Sequence, residues 1–152
     1  MRQLIIARKD LQMSPGKLAA QVSHASMAWL TNLMRHNAEP QLSDLNDLDT
    51  KYYRVSFDIN ADIFEQWLDG SFTKTVCEAK NLNGILKAAK IADELGLKEG
   101  TDYVVIKDNC LTELTPEEVD EDGIGRTTTC IGFRPLPDEI AHAISRKFQL
   151  YR

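Results

Sequence analysis

Lys17, Gln21 and His24 stand at i, i+4 and i+7. On a helix that spacing gathers them into one stripe. Lys17 falls in the first turn, where unpaired backbone N–H groups and the positive end of the helix dipole already lie. A lysine there opposes the dipole unless an anion is bound, so the stripe points to an anion or oxyanion site. The plainer reading is an exposed lysine at a helix end. His24 reads more readily as a hydrogen-bonded structural histidine than as a base, and the residues after it offer no metal-ligand partner. A second group sits far away in sequence. Asp108 closes the apolar run Val104-Val105-Ile106-Lys107, and Thr112 follows four residues on. A carboxylate at the carboxyl end of a strand can orient a lysine or accept a proton. The plainer reading of Asp108 is a turn residue capping its own backbone.

These groups need elements to hold them. Residues 2–8 predict a strand, and 10–14 a loop. Ser14 suits an N-cap, with Pro15 at the first helical position. The helix is expected to run to about Asn37, with Leu18, Val22, Ala25, Trp29 and Leu33 as its apolar stripe. Residues 38–50 read as a long polar loop, and Tyr52 to Phe57 as a strand, placed at an edge. A short helix from Asn60 through Trp67 stops at Gly70. A strand over 73–79, a helix over 81–95 ended by Gly96, and a strand over 103–107 follow. Residues 113–125 read as an acidic loop or short helix, because Thr115-Pro116-Glu117-Glu118 resembles a helix start. A strand over 127–133 and a helix over 137–148 complete the chain. This alternation argues for a single α/β domain with a sheet covered by helices on both faces, and the last two strands, with no long helix between them, allow an antiparallel neighbour. The strand–loop–helix junction at residues 8–25 is where ligands sit in such folds, at the carboxyl end of a strand.

The 152 residues, 43% hydrophobic and 27% charged, suffice for one domain with a real core. No apolar run is long enough to span a bilayer. Met1-Arg2 leads straight into strand-like residues, so we expect no secretory leader and a cytoplasmic protein. Cys77, Cys110 and Cys130 are widely spaced and odd in number, which argues against a disulfide framework and a zinc site. Gly16 and Gly125 lie in no dinucleotide or P-loop pattern, and no serine-hydrolase elbow is present.

The net charge of −5, taken over the whole chain, disfavours a nucleic-acid partner. Ten of the 23 acids, however, lie in two runs without Lys or Arg, 39–49 and 113–122; the remainder holds 18 basic residues against 13 acidic ones. The sign on one face therefore matters more than the whole-chain balance.

The stretch Arg8-x-Asp10-Leu11-x-Met13-x-x-Gly16-Lys17-x-Ala19-Ala20-Gln21-x-x-His24-Ala25 resembles the second, archaeal and eukaryotic, family of peptidyl-tRNA hydrolases. The likeness continues through Trp67-x-x-Gly70, Lys74-Thr75-Val76, Leu95-Gly96-Leu97, Asp108 with Thr112, and Thr127 to Gly132. The family's Ala-Gly after the aspartate is Asn109-Cys110 here, its glutamine after the threonine is Glu113, and its proline after Ile-Gly is Phe133. Residues of about 38–56 and 114–124 fall outside the likeness and read as insertions.

The resemblance implies a three-layer α/β domain with a mixed sheet of four or five strands flanked by helices, and hydrolysis of the ester joining a peptide to the 3′ end of tRNA, without metal or cofactor, by a protein that is often a homodimer. It implies an active site of Lys17, Gln21, His24, Asp108 and Thr112. In that site Lys17 and the helix N-terminus would hold the oxyanion. Asp108 would orient Lys17 or, with Thr112, place the attacking water. Gln21 would fix the carbonyl or the water, and His24 would act at one remove. Arg8, Asp10, Gly16, Lys74 and Lys107 are expected to bind substrate, the basic ones, with Lys9, through phosphates. The rival expectation is a non-catalytic binding module on the same fold. Its acidic insertions and Glu113 would repel tRNA and bind a basic protein.

Overall fold

The computed structural model describes residues 1–41 and 51–152. β1 (Arg2–Arg8) is the central element, and its residues Leu4, Ile5, Ile6 and Ala7 are wholly buried. A run of branched side chains with no polar alternation suits a strand covered on both faces. Strand β4 (Lys74–Ala79) lies parallel to it on one side, and β7 (Gly125–Leu136) antiparallel on the other. β5 (Tyr103–Asp108) is antiparallel to β7, and the short β8 (Gln149–Leu150) is antiparallel to β4. The order is β5-β7-β1-β4-β8, with the two-residue β6 (Glu118–Val119) added on β7.

The sheet is thus mixed, as expected, and has six strands among the described residues. The four long ones are those read from sequence. β6 and β8 are too short to leave a periodic signal.

The pleat sends alternate residues of β1 into two cores. Leu4 and Ile6 join Ile85, Ala88, Ile131, Phe133 and Ile144 beneath α2 (Leu82–Glu94) and α3 (Asp138–Ser145). Ile5 and Ala7 join Cys130 and Ala25 beneath α1 (Pro15–His36). Helices therefore cover both faces, with α1 on one and α2 and α3 on the other.

Two contacts fix where α1 lies. A Cβ on Gly132 would stand 2.1 Å from the carbonyl oxygen of Ala25, so the helix backbone rests directly on β7 at that point. Nearby, the buried Gln3 amide donates to the carbonyls of Ser26 and Phe133, and its oxygen accepts from Ser26 Oγ. A buried amide satisfied on both atoms specifies one position of the helix on the sheet. A third cluster, Trp29 with Ile63 and Trp67, packs the far half of α1 against the π-helical segment Ile63–Ser71, in which Gly70 departs from helical geometry.

Two expectations need correction. Residues 38–41 are no loop: β2 (Ala38–Gln41) pairs with β3 (Tyr52–Val55) in a separate antiparallel ribbon. The rest of the stretch expected as loop, 42–50, lies outside the described residues. The Thr115-Pro116-Glu117-Glu118 stretch starts no helix. The Glu117 N–H donates to Thr127 Oγ1 and to the Arg126 carbonyl, which lays the segment along β7 as β6. Asp120 then turns the chain by accepting from the N–H groups of Asp122 and Ile124.

Candidate active site

α1 begins as its residues dictate. Ser14 is the N-cap, its Oγ accepting the Lys17 N–H at 3.3 Å, and Pro15 occupies the first helical position. That start aims Lys17 at the carboxyl end of β5. Its ammonium donates to Asp108 Oδ2 at 2.7 Å and to Thr112 Oγ1 at 3.1 Å. Lys17 and Asp108 are 14% and 11% exposed, enough burial to hold the pair and enough opening for a ligand. An ammonium has three donors. Two are engaged, and the third has no protein partner among the described residues.

Gln21, one helical turn on, donates its amide to the same Asp108 Oδ2 at 2.8 Å. Its oxygen accepts the hydroxyl of the buried Thr129 at 2.6 Å, which fixes the amide with its N–H₂ toward Asp108. Asp108 Oδ1 accepts the Cys110 N–H at 2.9 Å. Burial by itself would raise the Asp108 carboxyl. The Lys17 and Cys110 N–H bonds and the Gln21 amide outweigh it and hold the group below the usual aspartate range. Cys110 adopts φ 54° in this turn, a left-handed conformation that residues other than glycine rarely take.

These groups line an open cavity of about 400 Å³. The five expected catalytic residues, Lys17, Gln21, His24, Asp108 and Thr112, all border it, as does Lys107. His24 is exposed at the rim and makes no hydrogen bond among the described residues, unlike the structural histidine its context suggested.

The expected substrate-binding residues mostly lie elsewhere. Arg8 is 3% exposed. Its Nε and Nη2 donate to Asp10, Nη1 and Nη2 to Glu117, and Nη1 to the Thr128 carbonyl. All five guanidinium donors are occupied. Arg8 thus clamps Asp10 and Glu117 together. Lys74 pairs with Gln3 at the opposite end of the sheet and lies over the rings of Trp67 and Phe72. About 17 Å of strand separate it from the Arg8 end. Lys107 is half exposed and pairs with Glu118 at 2.6 Å. Lys9 bonds the Arg152 carbonyl and pairs with Glu78. Gly16 is exposed, and a Cβ there would meet nothing within 4 Å, so no close approach demands a glycine.

The acids also differ from expectation. Glu117, Glu118 and Asp120 pair with Arg8, Lys107 and Arg126, so half of the second acidic run is internally neutralised. Glu113 accepts the N–H and hydroxyl of Ser14 at 2.8 and 2.7 Å. It therefore sits at the positive end of α1 and is not a free repelling charge. Sequence reasoning passed over Thr129, Ser14 and Glu113 as site-builders. The only hint for Thr129 was a hydroxyl at a buried strand position.

The family model described as Peptidyl-tRNA hydrolase PTH2 matches residues 1–151. A protein from Haloquadratum walsbyi named peptidyl-tRNA hydrolase is 32% identical over 151 residues, 99% of this chain and 100% of that protein. One of the same name from Thermoplasma acidophilum is 28% identical over 149 residues, 98% of this chain and 97% of its own. Another from Saccharolobus islandicus is 25% identical over 150 residues, 99% and 98% of the two chains. With its full length matched, and with Lys17, Gln21, Asp108 and Thr112 drawn into one cleft, the chain belongs to the PTH2 family of peptidyl-tRNA hydrolases.

Proposed function

We propose that this protein hydrolyses the ester between a peptide, or an N-blocked amino acid, and the 3′ end of tRNA, in the cleft at the N-terminus of α1. The observation that carries this reading is the Lys17 ammonium. It is held by Asp108 and Thr112 with one N–H left over among the described residues, at a helix end that is itself electropositive.

In this reading water adds to the ester carbonyl carbon. The carbonyl oxygen becomes an oxyanion facing the free Lys17 N–H, and the preorganised ammonium stabilises that charge as it develops. Collapse of the intermediate expels the 3′ oxygen, which takes up the proton given up by the attacking water. The products are a carboxylic acid and tRNA with a free 3′ hydroxyl. Asp108 acts mainly by aiming and pairing with Lys17. Three hydrogen bonds already occupy its oxygens, and its lowered pKa makes it a poor base. Thr112 Oγ accepts from Lys17, which leaves its own proton for the water or the departing oxygen. Gln21, locked by Thr129, shares Asp108 with Lys17 and keeps the carboxylate in one rotamer. His24 and Lys107 border the cleft where the RNA would enter. The same reading places the protein in the cytoplasm as a tRNA-binding homodimer.

The test is hydrolysis of an N-acetyl-aminoacyl-tRNA, with Lys17→Ala and a free aminoacyl-tRNA as controls. Rapid cleavage of only the blocked ester is expected, falling about 100-fold or more in Lys17→Ala, the usual loss for an oxyanion donor. No cleavage by micromolar wild-type protein would overturn the reading.

A further inference from the structure

We propose that Glu113 is a positioning residue that staples the Asp108–Thr112 loop to the first turn of α1 and thereby sets where the Lys17 ammonium stands. The proposal rests on the reading of Lys17 as the oxyanion donor.

A closed ring of contacts supports it. Glu113 Oε1 accepts the Ser14 N–H at 2.8 Å, and Oε2 accepts the Ser14 hydroxyl at 2.7 Å. Ser14 Oγ accepts the Lys17 N–H at 3.3 Å. The residue beside Glu113, Thr112, takes the Lys17 ammonium at 3.1 Å. Two adjacent loop residues thus grip both the cap and the side chain of one helical turn. A capping box links a cap serine to an acid three residues later. Here the acid comes from a loop 99 positions away, so the cap also becomes a tertiary joint.

Among the described residues the loop has little else to hold it. Leu111 is 84% exposed, and the nearest buried apolar anchor is Leu114, on the far side of Glu113. Cys110 serves the turn itself, through its N–H to Asp108.

A carboxylate suits Ser14 better than an amide would. Ser14 presents two donors, its N–H and its hydroxyl, and an ionised carboxylate accepts both. An amide accepts one and meets the hydroxyl with its own N–H₂, so the hydroxyl must turn. The Ser14 N–H and hydroxyl, aided by Lys17 and opposed by burial and Asp108, hold the Glu113 carboxyl below the usual glutamate range, consistent with an ionised staple at neutral pH. A displacement of about 1 Å at a reacting group can cost on the order of 100-fold in rate, so a loosened loop has room to act through geometry alone.

The experiment compares full-length wild type, Glu113→Ala and Glu113→Gln by steady-state hydrolysis of an N-acetyl-aminoacyl-tRNA. NMR adds amide exchange at Ser14 and Lys17 and the Lys17 ammonium nitrogen shift. Glu113→Ala is expected to lower kcat about tenfold or more with KM within threefold, to speed Ser14 exchange, and to move the Lys17 nitrogen shift. Glu113→Gln should fall between Glu113→Ala and wild type on every readout. Wild-type kcat in Glu113→Ala, with any change confined to KM, would overturn the proposal and make Glu113 a charge felt by the substrate. If wild type cleaves nothing, the hydrolase reading fails by itself. The exchange and the Lys17 shift then decide the staple: changed supports it, unchanged overturns it.

Discussion

Two cations near the carboxyl ends of the strands carry opposite fates. Arg8, at the end of β1, is buried against Asp10 and Glu117, and every donor it owns is occupied within the protein. Lys17, at the start of α1, is held by Asp108 and Thr112 but among the described residues keeps one N–H free beside a cavity of about 400 Å³. Both pairs look alike in sequence: a basic residue and acids, near a loop. What separates them is donor saturation. A saturated cation fastens chain to chain; an unsaturated one held in a fixed direction can meet a charge that appears during a reaction.

The largest effect that could break this contrast lies on the Arg8 side. Arg8→Met should destabilise the fold by about 2–3 kcal/mol, since it leaves Asp10 and Glu117 facing each other and takes a donor from the Thr128 carbonyl. The two carboxylates are partly exposed and regain water, so the loss stays below that of a wholly buried pair. Chemical denaturation measures it; a change under 0.5 kcal/mol would show that the clamp is ornamental.

Thr129→Val sharpens the other side. It keeps the shape of the β7 residue and removes the hydroxyl that orients Gln21, so kcat should drop about tenfold while stability falls by about 1–2 kcal/mol. Unchanged kcat would remove Gln21 from the positioning of Asp108.

Asp108 also sets the acid limit. Its folded pKa lies below its unfolded value, so its stabilising pairing with Lys17 is fully present above the unfolded range, near pH 4, and is lost as pH falls through the lower folded value. Activity should therefore hold from neutrality to about pH 5 and decline only in stronger acid, as a pH–rate profile would record. An acid limb near pH 6 would contradict the lowered carboxyl.

The smallest effect concerns Cys110. With φ at 54°, Cys110→Gly should relieve strain and stabilise by up to about 1 kcal/mol, with hydrolysis kept within threefold. A fall in melting temperature would instead assign the cysteine side chain a packing role.

Much of this was legible in the sequence, and for local reasons. The four long strands, α1 with its Ser14-Pro15 start, and α2 ended by a glycine all carry period or cap signals within a few residues. The stripe of Lys17 and Gln21 follows from helix geometry alone. What the sequence concealed depends on partners far along the chain. Glu117 reads as a helix residue until Arg8 and β7 claim it. Glu113 reads as a repelling charge until Ser14 stands beside it. Composition likewise does not say that Arg8 is engaged by Asp10 and Glu117 or that Lys74 lies at the other end of its strand.

The most direct measurement is a crossed one: denaturation stability and single-turnover hydrolysis of a blocked aminoacyl-tRNA for Arg8→Met and Lys17→Met side by side. The account predicts that Arg8→Met loses stability but retains the rate per folded molecule within threefold. It predicts that Lys17→Met stays folded within about 1 kcal/mol and loses about 100-fold or more in rate. Equal losses of rate in both variants, or a Lys17→Met protein as fast as wild type, would contradict it.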